Sequence, residues 1–345
     1  MLIGSLNWAS AKSIEDQVYG WLVSHQNNNT GLLGNQEEDD FSGIYPNALA
    51  AIAFIHKGET QRAEKIFDFF LKNFDSEFAS GTLKGFHQFW NAASGAVFSD
   101  TDRWVGDNAW LLMVLNFYQN KTKNNKYETM QEGIAQWIIS LQDEDGGINA
   151  GFNKNGPMNH KSTEGNLDCY VALINHSFQR EKVLKYLTEK MWVESTQRFQ
   201  MGSTVHESAL DCCSWSIGAL GSGFKKTMSY TEKKFLRTVT SDANGKTING
   251  FSDFVDKKKV WLEGTGEMVV AYNIVGERGK AKKYLKELEK AMVKSEMFND
   301  AMGLPCSTND PSWTGANKKI FVPSQCWYLF GAWKINPMES QSLEQ

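Results

Sequence analysis

No run of basic residues, and no apolar stretch near the ~20 residues of a membrane span, occurs in this chain of 345 residues. With a formal net charge of −4, nothing supports nucleic-acid binding. The start, MLIGSLNWASAKS, lacks the pattern of a signal peptide, as a processed exported chain also would. The five cysteines (Cys169, Cys212, Cys213, Cys306 and Cys326) are odd in number and show no CxxC spacing. That argues against a disulfide framework or a structural zinc site. Four of them fall in predicted helices, where a thiol behaves as a small buried hydrophobe. There is no glycine-rich phosphate loop, no GxSxG elbow and no DxDD or DDxxD motif. Neither a cofactor nor a metal is expected, and the chain is expected to act as a monomer.

What the chain has instead is a repeat. Six segments, each running from a polar or aromatic loop into a stretch of small and apolar residues, begin near Ile44 (IYPNALAAIAFI), Gly106 (WVGDNAWLLMVLNFY), Glu164 (STEGNLDCYVALI), Glu207 (HESALDCCSWSIGAL), Glu263 (WLEGTGEMVVAYNI) and Pro323 (VPSQCWYLFGAW). A period of several tens of residues fits a closed or stacked helical array, in which each hairpin needs its neighbours to cover its apolar face. A more polar helical stretch lies between successive copies. The spacing predicts inner helices over 44–57, 106–120, 163–176, 207–220, 263–275 and 323–334. Outer helices are predicted over 59–74, 125–142, 180–195, 230–240 and 277–295, with 11–25 pairing with the last inner helix to close the ring. The expected fold is all-α, an (α/α)6 barrel formed as one domain over 1–345, with 339–345 as a tail. The segment 75–104 reads as a long, aromatic-rich functional loop.

Four inner helices open on carboxylates: Asp107, Glu164 with Asp168, Glu207 with Asp211, and Glu263 with Glu267. The last three pairs are spaced four apart and so share a helical face. Acids near helix N-termini offset the macrodipole and cap free amides, worth ~0.3–1 kcal/mol each. That accounts less well for Asp168, Asp211 and Glu267, which lie a turn further in among apolar neighbours. With the inner helices parallel, these acids converge on one rim among tryptophans. Paired carboxylates there suit glycoside cleavage, in which one acid protonates the leaving oxygen while a second activates water or attacks the sugar. Aromatic faces stack on pyranose rings, and the chain carries 12 tryptophans, several beside carboxylates in loops.

Together, WVGDNAW, STEGNLD, ALDCCSW, WLEGTGE and the closing CWYLFGAWKINP resemble the glycoside hydrolases of the six-hairpin, (α/α)6-barrel type, over about residues 11–338. The resemblance implies a carbohydrate substrate and an acid/base pair at the inner-helix ends, without naming positions. Asp39-Asp40 is similar to the paired aspartates of the α-1,6-mannanase branch. The expected catalytic residues are Glu164 and Glu263, with Asp107 third. Trp90, Trp104, Trp110, Tyr45, Asp40, His87, His160, Trp261 and Trp313 are the expected sugar contacts. In each acid pair the first member is expected to face the cavity and the second to be hydrogen-bonded in the wall.

Alternatives on the same scaffold are a lyase or epimerase using His87, His160 or Tyr45, and a non-catalytic carbohydrate-binding barrel. A terpenoid-cyclase-like toroid is suggested only by EGIAQWIISLQDEDGGI. A zinc toroid would need His206, Asp211 and Cys212 to be joined by a second cluster. His56 reads as a helix C-terminal cap.

Overall fold

The structure, a computed structural model, describes residues 12–79, 84–98, 102–309 and 318–339. These residues hold twelve α-helices: α1 Ile14–His25, α2 Ile44–His56, α3 Thr60–Glu77, α4 Val105–Thr122, α5 Glu128–Ser140, α6 Thr163–Ala172, α7 Ser177–Tyr186, α8 Leu210–Leu220, α9 Thr227–Phe235, α10 Leu262–Ile274, α11 Arg278–Ala291 and α12 Val322–Trp333.

The even-numbered helices form a closed inner ring. Each packs on the next, from α2 through α4, α6, α8 and α10 to α12, and α12 returns to α2. Each odd-numbered helix backs one of them, and α1 backs α12, so the chain's first described helix closes the barrel with its last. Sequence dictates which ring a helix joins. In α10 every residue from Leu262 to Tyr272 is buried, because this helix meets neighbours on all sides. In α11 only Ala281, Tyr284, Leu288 and Ala291 are buried, and lysines and glutamates take the other faces. The α10–α12 contact is close enough to demand glycine. A Cβ on Gly266 would lie 2.8 Å from Trp327 Cβ, and one on Gly331 would lie 2.7 Å from a Val269 methyl carbon.

One device recurs at the fourth residue of nearly every inner helix and fixes its register. Asn47 clamps both main-chain groups of Leu33; Asn108 does the same to Phe86, Asn166 to Ile148 and Gln325 to Leu304. The Thr265 hydroxyl accepts from Phe251 N–H. Each clamp satisfies otherwise orphaned groups of the loop that descends from an outer helix. In α8 the position is Cys213, and the Ser208 hydroxyl holds the Phe199 carbonyl instead, at 2.7 Å.

Three boundaries differ from expectation. Residues 230–240 are not one helix: α9 ends at Phe235, and Leu236–Thr240 pairs antiparallel with Thr247–Phe251, as the β-branched run RTVT favours. Residues 180–195 end α7 early, pass through a π-turn over Leu187–Met191 and finish in a short strand. Finally, α8 begins at Leu210, so Glu207 is an exposed loop residue rather than a helix opener. The expected loop 75–104 also holds structure, since Phe89–Asn91 pairs with Phe41–Gly43.

Candidate active site

Aligning the inner helices by their first residues arranges the barrel interior in layers. The second residues are Tyr45, Gly106, Glu164, Asp211, Glu263 and Pro323, with Asp107 third in α4. The sixth residues, one turn deeper, are Leu49, Trp110, Asp168, Trp215, Glu267 and Trp327. The three indoles come from alternate helices of the ring, and each touches both others: centroids are 5.4 Å apart for Trp110–Trp215, 6.3 Å for Trp110–Trp327 and 6.2 Å for Trp215–Trp327. Side chains from three alternate members of a six-membered ring can meet only on its axis. They form a buried plug under the carboxylates.

The upper layer is tied together through Tyr45. Its hydroxyl donates to Glu263 Oε1 at 2.8 Å and accepts from Trp327 Nε1 at 2.7 Å. Its backbone N–H donates to Asp107 Oδ1 at 3.3 Å, and Gln88 Nε2 reaches Asp107 Oδ2 at 3.1 Å. Asp211 Oδ1 accepts from Cys212 N–H at 2.7 Å. The Glu164 carboxylate forms no hydrogen bond with the described residues, although its side chain is only partly accessible.

Burial is the first cause of a raised pKa at every member of the cluster. At Glu164 the charges of Asp211, Asp107 and Glu263 add to it, and the carboxyl stands well above the usual carboxylate range. Asp107 is pushed up to about 7, restrained by the Tyr45 and Gln88 donors. Asp211 reaches only about 6, because Cys212 N–H favours its ionised form, and Glu263 reaches about 8 despite the Tyr45 bond. In the lower layer Asp168 and Glu267 are pushed well above the ordinary range by burial and by their upper neighbours. These mutual effects place six carboxyl groups in one field at the N-terminal mouth.

The expected pattern within acid pairs holds for only one of them. Glu267 accepts from the Ser214 hydroxyl through Oε2 at 2.7 Å, as a wall residue should, although its Oε1 has no partner among the described residues. Asp168 departs from it: its Oδ1 has no hydrogen-bond partner, and the Trp110 indole acts on it without closing a bond of ordinary geometry. In the third pair the register is reversed. Asp211 occupies the rim position of Glu164 and Glu263, and Glu207 lies outside.

Several expected sugar contacts lie elsewhere. Trp90 is buried on the outer ring against Phe69 and Phe70, with its N–H on the His87 carbonyl. His87 is held by Glu77 at 2.7 Å. Trp110 belongs to the plug, not the mouth. Asp40 is exposed and is not among the groups that act on the cluster; its neighbour Asp39 caps the turn at Phe41 N–H. Trp261, just before α10, is only 9% exposed and lies over Gly264. Trp313 is outside the described residues. Trp104, immediately before α4, stays partly exposed beside His160, whose ring meets it edge-on at 5.7 Å.

No family model and no curated protein matches this chain in sequence. Solved structures do match it in shape. A wild-type glycosidase superposes with a TM-score of 0.70 at 10% identity over 97% of this chain and 100% of its own. An α-amylase from Clostridium perfringens gives 0.66 at 10% over 93% and 98%. A cellobiose 2-epimerase from Bacillus thermoamylovorans gives 0.65 at 13% over 92% and 96%. With its closed double ring of helices, the chain has the six-hairpin (α/α)6-barrel fold that these glycosidases and sugar epimerases share.

Proposed function

We propose that this protein is a glycoside hydrolase acting on an uncharged glycan at the carboxylate-lined mouth, with Glu164 as proton donor and Asp211 as the base or nucleophile. The carrying observation is the state of Glu164: partly accessible, without a hydrogen-bond partner, and surrounded by Asp211, Asp107 and Glu263. Like charges at this density cannot all ionise, so a proton is retained on the group least stabilised as an anion. That proton is available to a glycosidic oxygen. Asp211, whose pKa of about 6 is the lowest of the rim carboxyls, is the first to carry negative charge. Glu263 and Asp107, both bonded through Tyr45, are the alternative partners for Glu164. Trp104 offers a face for a sugar ring at the edge of the mouth.

Two features favour hydrolysis of a neutral sugar over the other chemistries of this fold. No lysine or arginine is among the leading groups that shift these six carboxyls, and the buried Lys259 nearby is committed to Asp253 at 2.9 Å, so a uronate would bring a further negative charge beside acids already crowded. No histidine is among those groups either, and His160, beside Trp104, offers a single imidazole where an epimerase would use a pair. Incubation with a panel of neutral oligosaccharides, with new reducing ends, unsaturated products and epimers each measured, tests the reading. Release of reducing ends that is lost in Glu164→Gln supports it; epimer or unsaturated product without new reducing ends overturns it.

A further inference from the structure

At the opposite end of the barrel a cavity of about 890 Å3 opens among the C-terminal ends of the inner helices. That size is within the ~300–1,000 Å3 of sites for small organic ligands. Asn116, Asn120 and Asn273 line part of it, beside an aliphatic patch in which Ile52, Met113, Val171 and Val270 are the ninth residues of α2, α4, α6 and α10. Its mouth is cationic. Lys121, Arg278 and Lys334 line it, all three are exposed, and none has an acidic or side-chain hydrogen-bond partner among the described residues. His56 also lines the cavity and is held below its usual pKa by burial and then by the charges of Lys57 and Lys121.

Helix macrodipoles explain part of this. Lys121 is in the last turn of α4 and Lys334 follows α12, where a positive charge is favoured. Arg278 does not fit that explanation. It is the first residue of α11, the end at which a cation is disfavoured, yet it is aimed at the same opening. Among the described residues Glu339 is the one acid lining the cavity, and it is exposed.

We propose that this mouth binds an organic oxyanion with an apolar body, the body against the aliphatic patch and the phosphate or carboxylate head between Lys121, Arg278 and Lys334. The site is separated from the carboxylates by the indole plug, and its occupancy does not depend on the catalytic reading. Calorimetric titration of the full chain with octyl phosphate, octyl glucoside and inorganic phosphate, all below micelle-forming concentrations, tests it. Octyl phosphate is expected to bind one to one, more weakly at high salt, and about tenfold more tightly than either of the others. Lys121→Ser/Arg278→Ser/Lys334→Ser should lose at least about tenfold in that affinity, Arg278→Ser alone should lose part of it, and Glu164→Gln should leave it unchanged. Equal binding of octyl glucoside, affinity unchanged in both cation variants, or no binding of octyl phosphate would overturn the proposal.

Discussion

Tyr45 and Glu263 are joined by a 2.8 Å hydrogen bond across the barrel mouth, although α12 lies between their helices in the ring. Trp327 of that intervening helix donates to the same hydroxyl, so one phenol links three inner helices. Tyr45→Phe removes the donor that restrains Glu263, whose pKa should rise further above about 8. It also leaves the buried Trp327 N–H without an acceptor, a cost of ~1–3 kcal/mol. Urea unfolding should show that loss, and a carboxyl NMR titration should report the Glu263 change.

Replacing Glu164 with Gln keeps the side chain's shape but removes its proton. Turnover on a confirmed substrate should fall ~10²–10⁴-fold with binding retained. Unaltered kcat would remove Glu164 from the mechanism. Trp104→Ala should instead raise KM and leave kcat less affected.

The register of α8 gives a sharper contrast. Asp211→Asn should cost ~10²–10⁴-fold in kcat/KM, whereas Glu207→Gln, at an exposed loop position, should stay near the unmodified rate. The reverse order would restore the reading in which Glu207 opens the helix.

Stability should fall as pH rises. The clustered carboxyls bind protons more tightly when folded than when unfolded, where they titrate near ~4. Between those values the unfolded state holds fewer protons, so the slope of unfolding free energy with pH is negative. The stabilisation is fully present below about pH 4 and is lost as pH rises through the folded values of about 6 for Asp211, 7 for Asp107 and 8 for Glu263. Thermal unfolding at pH 5 and pH 8 should show the decline. Glu267→Gln, which can keep the Ser214 contact, should flatten it and raise Tm at pH 8.

Trp215→Ala opens the plug. Core Trp→Ala changes cost ~3–5 kcal/mol, and here the Trp110 and Trp327 faces would also lose their partner. Denaturant midpoints measure the loss; a cost below about 1 kcal/mol would mean that the indoles are not packed as a plug.

The double ring is legible in the sequence because inner and outer helices differ in how many faces they must bury, and residue polarity records that directly. The rim acids of α4, α6 and α10 are legible for a related reason, since each follows its loop immediately. The register of α8 is not. Glu207 and Asp211 are four apart, so either can open the helix by spacing alone. The Asn, Gln or Thr at the fourth position, which resolves the ambiguity in the other repeats, is Cys213 here. Tryptophans mislead for a different reason. An indole serves equally well against an outer phenylalanine cluster, as Trp90 does, on the axis, as Trp110 does, or at the edge of the mouth, as Trp104 does. Only the direction of its Cα–Cβ bond within the ring decides which, and that direction follows from the register.

The plug formed by Trp110, Trp215 and Trp327 divides the barrel interior into two ends rather than leaving it a tube. A polymer cannot thread through such a molecule. The carboxylate layer and the cavity among the C-terminal ends of the inner helices have no passage between them along the axis.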